Sequence, residues 1–462
     1  MKSVSRLLLA GLAACLLLRI AIIALPRSVT LNTKSVEAIA DAREYVQLAG
    51  NLAVHRSFTR DSSPPYRAEL FRTPLYPLLL APAVRTAAAA TTWGLLIQAV
   101  LSLLLVVLTW RLAQEMELSR QAADVAALLV GASVNLAFLA TKLVTETLFT
   151  VILVIVLLLY ARFLTRSRLP DLLAAGGGLG LLILTRPIAL YLPLLLALHL
   201  VWRVLRRRLP AVAPLLLLAA TSLTIAPWVA RNWRAAHYTG VSTASQHNLY
   251  LYNAATVLAS DENITLAQAR DSMQAEATAR FGELDSTDEA GYWSRLGSVA
   301  STVCFRRPLR TAVVQASGFI ATLLSPLGLQ PLLVHTGSIG YASAPPHVMQ
   351  NTLRLLVAGK IGPAISLVWS GRLSLLPPFA LVLLVLAAIH LLFLLVGTTA
   401  LLARRSRGRL LWLLLPVLYF TLLPGPVGEA RFRAPIEPLL CLLAAAGLVR
   451  QSGQSTADAR RQ

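Results

Sequence analysis

The stretch LAACLLLRIAIIAL, Leu12 to Leu25, decides how the chain begins. Its first four residues, preceded by Lys2 and Arg6, have the form of a bacterial lipoprotein cleavage box, which would make the segment a removable signal. The apolar run does not stop there, however. It continues past Cys15 to Leu25, broken only by Arg19, and from Leu7 onward it is long enough to cross a bilayer. The expectation is an uncleaved first membrane helix.

The rest of the chain repeats that signal. Of 462 residues, 56% are hydrophobic and only 14% charged, and the mean hydropathy is +0.67, too apolar for a soluble globule of this length. Further apolar runs fall at 93–112, 122–140, 148–164, 172–185, 188–204, 211–228, 375–402, 410–423 and 436–449. The predicted fold is an all-α polytopic membrane protein with about ten spans. The two runs around Thr185–Arg186–Pro187 are short, and proline interrupts the backbone ladder there, so broken or tilted helices are expected. A stretch at 311–333 reads as a partly embedded or interfacial helix rather than an eleventh span.

The formal charge of +21 invites a nucleic-acid reading. The arginines, however, occur in short clusters between apolar runs: Arg111 and Arg120; Arg162, Arg166 and Arg168; Arg203 to Arg208; Arg404 to Arg409; Arg450. With the N-terminus inside, every cluster falls on the inner side, as the positive-inside rule requires. No nucleic-acid-binding module is present, and no nucleic-acid partner is expected. Cys15, Cys304 and Cys441 make no disulfide framework, and no metal-ligand spacing occurs.

The expected organisation is a first membrane helix (1–25), an extracytoplasmic loop (26–92), a helical membrane core (93–228), a large extracytoplasmic segment (229–374), C-terminal membrane helices (375–450) and a cytoplasmic tail (451–462). Within the large segment, 261–281 reads as a surface helix. Water-facing segments on a rigid scaffold are where chemistry is placed.

DAREYVQLA, Asp41 to Ala49, begins the search for that chemistry. As part of a helix over 36–52 it puts Glu37, Asp41, Glu44, Tyr45 and Leu48 on one face. Clustered carboxylates raise one another's proton affinity, and an acceptor hydroxyl needs a carboxylate as base; a solvated helix face is the plain alternative. FRTPLYPLLLAPA, 71–83, holds Arg72 and Tyr76 beside two prolines, either to meet an anionic headgroup or as interfacial anchors. TKLVTETLF, 141–149, places Lys142 and Glu146 at i and i+4, a helix pair or an acid aimed at a cavity shared with Asp41. Arg186, Arg231, Arg431 and Arg433 stand at outer span ends, where the positive-inside rule disfavours cations. Arginine binds phosphate through a planar fork. Arg19 marks a site or simply snorkels.

Six segments together carry a resemblance: DAREYVQLAGNL (41–52), FRTPLYPLLLA (71–81), TETLF (145–149), TRPIAL (185–190), APWVARNW (226–233) and ARFRAPIEPLL (430–440). In this order and spacing the chain resembles GT-C fold glycosyltransferases of the protein O-mannosyltransferase and aminoarabinose transferase type. The resemblance implies a polyprenyl-phosphate-sugar donor, a lipid, glycan or protein acceptor, and an inverting transfer outside the cytoplasm of a bacterial inner membrane. Asp41 is implied as catalytic carboxylate, with Glu146 as second acid and Arg231 as a donor-phosphate contact. Ala42 stands where the family often has a second acid, and Glu44 is the substitute. The full expected set is Asp41, Glu44 and Glu146 as catalytic acids; Arg72, Lys142, Arg186, Arg231, Arg431 and Arg433 on the donor phosphate; and Tyr45, Tyr76 and Asn232 as substrate contacts. No obligatory metal or other cofactor is expected, although Asp41 and Glu146 sharing a divalent ion stays open. A transporter or flippase of lipid-linked sugars is the alternative function, and an envelope scaffold a third.

Overall fold

Apolar runs without a partner strand can satisfy their backbone in lipid only as helices, and that is what the chain forms. The computed structural model describes residues 5–24, 40–84, 87–283, 285, 287–328, 332–333, 335–336, 355, 359–371, 373–403, 408 and 410–449. The expectations for Lys2, Glu37, Arg404, Arg405, Arg407, Arg409, Arg450 and the 451–462 tail lie outside these residues.

Helix α1 (Arg6–Ala24) is followed by α2 (Ala40–His55), α3 (Ala87–Glu115), α4 (Arg120–Ala132), α5 (Val134–Leu139), α6 (Glu146–Arg166) and α7 (Leu169–Thr185). Next come α8 (Leu192–Leu205), α9 (Ala213–Ala236), α10 (Leu266–Phe281), α11 (Glu289–Arg306), α12 (Pro308–Leu324), α13 (Pro378–Ala403), α14 (Leu414–Leu422) and α15 (Glu437–Leu448). All ten apolar runs coincide with helices. Among the described residues, six helices are long and apolar enough to cross a membrane, and 169–185 and 411–422 are shorter apolar ones.

The core is built on α6, which packs between α3 and α7; α9 lies along α7, and α4 joins α1 to α15, which in turn lies along α13. Small residues set the close crossings. A Cβ on Gly131 of α4 would fall 2.0 Å from the carbonyl oxygen of Gly11 in α1, the kind of backbone approach that lets apolar helices pack tightly in lipid. A second, smaller apolar cluster gathers Tyr250, Val257, Leu258, Met273, Leu296 and Val299 from α10, α11 and the helical segment before them.

Three elements depart locally from the sequence reading, and one expected break is met. The run at 122–140 breaks at Ser133, whose hydroxyl caps α5 by accepting from Leu136 N–H at 3.1 Å. The expected surface helix over 261–281 starts later: Asn263 is left-handed, and Thr265 with Gln268 forms a capping box that opens α10. The helix expected over 311–333 ends at Leu324. The break at Thr185–Pro187 is present and sharp. Pro187 disfavours helical backbone in the residue before it, so Arg186 is extended (φ −148°, ψ 124°) and ends α7.

Candidate active site

The extended backbone at Arg186 is one of three devices that bring charge to one place. A second is Glu429, also extended (φ −155°), from which the one-turn helix Ala430–Arg433 starts and presents Arg431. The third is α2. Its Tyr45, Leu48 and Ala49 are buried, which turns Asp41 and Glu44 toward a cavity of ≈1980 Å³. Asp41, Glu44, Tyr45, Arg72, Arg186, Arg231 and Arg431 all line it.

The charges alternate in an unbroken chain. Glu69 pairs with Arg60, which reaches Glu44 at 3.5 Å. Glu44 pairs with Arg72 at 2.5 Å, and Arg72 with Asp41 at 2.6 Å. Asp41 then pairs with Arg431, Arg431 with Glu146, and Glu146 with Arg186 at 2.6 Å. Four carboxylates thus neutralise four guanidiniums. Glu146 is the deepest, 1% exposed, while Asp41 keeps 23%. Burial alone would raise the proton affinity of Asp41, but the Arg431 and Arg72 guanidiniums outweigh it and hold its carboxyl well below the usual range. Burial pushes the Tyr45 hydroxyl up.

Glu69 and Arg60 escaped the sequence reading, and Glu69 is what places Arg72. One of its oxygens accepts from the backbone N–H groups of Phe71 and Arg72, both at 2.8 Å, while the other takes Arg60. The only signal was an acid three residues ahead of Arg72. Glu429, one residue ahead of the ARFRAPIEPLL segment, was also passed over; it lines the cavity.

The structure gathers some expected site residues and not others. Arg231 reaches the cavity wall, donating to the carbonyls of Glu69 (2.7 Å) and Phe58 (2.9 Å) while stacking on Trp228. Lys142 does not line the cavity. It lies in a turn, so it forms no helix pair with Glu146, and its ammonium bonds His335 Nδ1 at 2.6 Å; burial lowers its pKa to about 7. Arg433 is buried and serves as a helix cap, donating to carbonyls of Thr322, Ser325 and Pro326 at the end of α12 and pairing with Glu437 at 3.4 Å. A helix end leaves carbonyls unsatisfied, and a cation there is favourable. Tyr76 is buried edge-on beneath Tyr45, its hydroxyl accepting from Gln98 at 3.2 Å. Asn232 is buried and donates to the carbonyl of Gly240 at 2.9 Å. Arg19 turns back onto the carbonyl of Cys15 at 2.6 Å instead of reaching the cavity.

No group of three or more His, Cys, Asp or Glu arranged to hold a metal occurs among the described residues. Where Asp41 and Glu146 were to share an ion, the Arg431 guanidinium stands between them.

An all-helical, multi-pass membrane protein with guanidiniums and carboxylates collected at one cavity is the class the fold and site define. Residues 72–230, about a third of the chain, match the family model described as dolichyl-phosphate-mannose-protein mannosyltransferase. No curated protein matches the sequence. Among solved structures, the archaeal oligosaccharyltransferase AglB from Archaeoglobus fulgidus, in complex with an inhibitory peptide and a dolichol-phosphate, is similar at 15% identity and TM-score 0.48 over 96% of this chain and 50% of that one. ArnT from Cupriavidus metallidurans bound to undecaprenyl phosphate is similar at 14% identity and TM-score 0.37, over 95% and 76%. A further structure of the Archaeoglobus fulgidus enzyme, in complex with Zn and sulfate, aligns at 15% identity and TM-score 0.40 over 97% and 54%. The chain therefore spans about half the length of the oligosaccharyltransferase.

Proposed function

We propose that the protein is a membrane glycosyltransferase that moves a sugar from a polyprenyl-phosphate donor to an extracytoplasmic lipid, glycan or protein acceptor. The observation that carries this reading is the alternating chain of charges: Arg72, Arg186 and Arg431 converge on one cavity from three distant segments of sequence. The match of 72–230 to a family named for a prenyl-phosphate sugar donor supports it. In the proposed reaction an acceptor oxygen bonds to the anomeric carbon from the face opposite the phosphate. The carbon–oxygen bond to phosphate breaks, and its electron pair leaves on the phosphate oxygen, where fixed guanidiniums stabilise the charge. A carboxylate of the cavity takes the acceptor's proton, and the sequence resemblance nominates Asp41 for that role.

The resting chain is internally paired, so the donor phosphate must displace carboxylates from guanidiniums rather than meet free ones. Arginine suits that exchange because it stays charged when partly desolvated and its fork fits phosphate as well as carboxylate. Ile188, Tyr191, Leu423 and Val427 form an apolar part of the cavity wall, where the first isoprene units of a donor would lie. The proposed location is a bacterial inner membrane, with the cavity facing the periplasm or cell exterior.

Two measurements test the reading. Mass spectrometry of surface glycolipids, polysaccharide and glycoproteins from a deletion strain should show one hexose or pentose missing. Purified protein in detergent micelles should then transfer that sugar from its polyprenyl phosphate to glycoconjugate isolated from the deletion strain. Micelles have no compartments, so a flippase would show the first result and fail the second. An unchanged glycan profile would dispose of both.

A further inference from the structure

One wall of the cavity is aromatic and begins at the charged chain. The Arg72 guanidinium lies 4.6 Å over the Phe71 ring. Phe71 meets His247 at 4.8 Å, and His247 meets Trp293 at 4.4 Å and Tyr252 at 6.5 Å, centroid to centroid. All four rings line the cavity. Hydrogen bonds tie this wall to the segment that carries Arg72. The Ser242 hydroxyl donates to the Phe71 carbonyl at 2.5 Å, and Thr243 N–H donates to the Leu70 carbonyl at 3.0 Å. The Thr243 hydroxyl donates in turn to Glu289, the first residue of α11, at 3.0 Å. Tyr252 belongs to a stretch, Leu249–Ala254, where the helix widens to π geometry, a distortion frequent at functional sites. Burial lowers the proton affinity of His247, and the charges acting on it, Arg72, Glu44 and Arg60, belong to the charged chain.

The chemistry of this wall selects among acceptors. The charged side chains that 244–253 and 287–293 bring to the cavity are Asp288 and Glu289, both acidic, which disfavours an anionic headgroup. An extended peptide is ordinarily held by pairing with a sheet edge, and no strand occurs among the described residues. A purely apolar chain would bury the polar groups of Asn248 and Glu289 without partners. A sugar ring suits both halves of the wall. Its C–H faces pack against aromatic rings, whose faces carry negative charge, and its hydroxyls need acceptors. A carboxylate accepts about four hydrogen bonds, and the Thr243 hydroxyl takes one at Glu289. Resting on the transferase reading, we propose that the acceptor is a saccharide whose terminal ring lies against Trp293 and His247 and donates a hydroxyl hydrogen bond to Glu289. The bond formed is then a glycosidic bond between two sugars. The bond broken is the one from the anomeric carbon to phosphate, whose oxygen keeps the electron pair, and the acceptor's proton goes to a cavity carboxylate as above.

The test uses the full-length protein in micelles, the polyprenyl-phosphate sugar identified from the deletion strain, and three fractions of that strain: glycolipid, lipid-free polysaccharide and delipidated protein. The transferred sugar should appear linked to another sugar, and the fraction that accepts it tells a glycolipid from a polysaccharide. With that fraction, Trp293→Ala should raise acceptor KM by about 10- to 100-fold, the scale of losing an aromatic anchor, with donor KM unchanged. Trp293→Phe should recover part of the loss. Glu289→Gln should raise acceptor KM several-fold, because the amide keeps an oxygen acceptor without the charge. Met273→Ala opens the apolar cluster on which Trp293 packs but does not line the cavity, and it should leave acceptor KM unchanged. The assignment is overturned if the sugar is found on a protein side chain, if Trp293→Ala keeps the wild-type acceptor KM, or if Met273→Ala shifts it equally. A wild-type protein that transfers to none of the fractions would instead refute the function proposed above, so the two failures are distinguishable.

Discussion

Replacing Arg431 by methionine tests the charged chain at its middle link. The side chain is 15% exposed and bridges Asp41 to Glu146. Breaking a buried pair by removing one partner typically costs about 3–5 kcal/mol, because a charge is left without compensation. Here each carboxylate keeps a second guanidinium: Asp41 retains Arg72 and Glu146 retains Arg186. The expected loss of stability therefore sits near or below the lower end, about 2–3 kcal/mol. Binding of undecaprenyl phosphate should weaken as well. A charge-assisted hydrogen bond contributes about 1.5–3 kcal/mol, or roughly 10- to 150-fold in affinity, and the lower end applies because the resting guanidinium gives up carboxylates to take phosphate. Denaturant unfolding in micelles measures the first quantity and native mass spectrometry with undecaprenyl phosphate the second. Adding Glu146→Gln should return part of the lost stability, since it removes the surplus buried charge. Unchanged phosphate affinity in a folded Arg431→Met protein, or a double variant whose losses simply add, would refute the coupling.

Asp41 supplies a pH prediction. Its folded-state pKa is depressed, so the stability it contributes is fully present above the unfolded value of about 3.9 and disappears as pH falls below it. The stability difference between wild type and Asp41→Asn should be constant from about pH 8 to 5 and shrink below about pH 4; a difference that changes near neutrality would contradict this. Arg433→Met should cost about 3–5 kcal/mol, because it strands buried Glu437 and uncaps α12, yet leave undecaprenyl phosphate affinity unchanged; weakened binding would restore Arg433 to the donor site. Gly318→Ala should cost about 1–3 kcal/mol of stability, because its methyl group meets the Gly425 carbonyl and forces α12 and the turn at Gly425 apart; wild-type stability in denaturant unfolding would show that the turn tolerates displacement.

The fold was legible because lipid leaves few options: apolar runs of spanning length become helices, and all ten did so. The break at Arg186 was legible for the same reason, since proline acts on its neighbour irrespective of tertiary context. The site was partly legible. Asp41 and Glu44 stood out as acids sharing a helix face, Arg72 as a cation beside two prolines, and Glu146, Arg186 and Arg431 as charges at the ends of apolar runs; all six form one chain. The same signal misled at Arg433 and Lys142. A cation at a span end can cap another helix's carbonyls or bond a buried histidine, and those partners, Ser325 and His335, lie more than a hundred residues away in sequence. Glu69 stayed hidden because its task is to fix two backbone N–H groups, which leaves no pattern in composition.

The internal pairing of the site also bears on which anions it admits. Free guanidiniums in a cavity would attract any phosphate or sulfate. Here Arg60, Arg72, Arg186 and Arg431 each already have a carboxylate partner, and Arg231 is held by backbone carbonyls, so an incoming anion exchanges one bond to a guanidinium for another, and the net electrostatic gain is small. Binding of the proposed donor then needs a second source of free energy, and burial of isoprene units against apolar wall residues such as Ile188, Tyr191 and Leu423 would supply about 0.8 kcal/mol per buried CH₂. Selectivity on this view lies in the tail, with the headgroup charge setting position. Inorganic phosphate should therefore compete poorly with undecaprenyl phosphate even at millimolar concentration, and a short-chain prenyl phosphate should bind between the two. Equal displacement by inorganic phosphate would mean that the guanidiniums are not held by their carboxylates in the working protein.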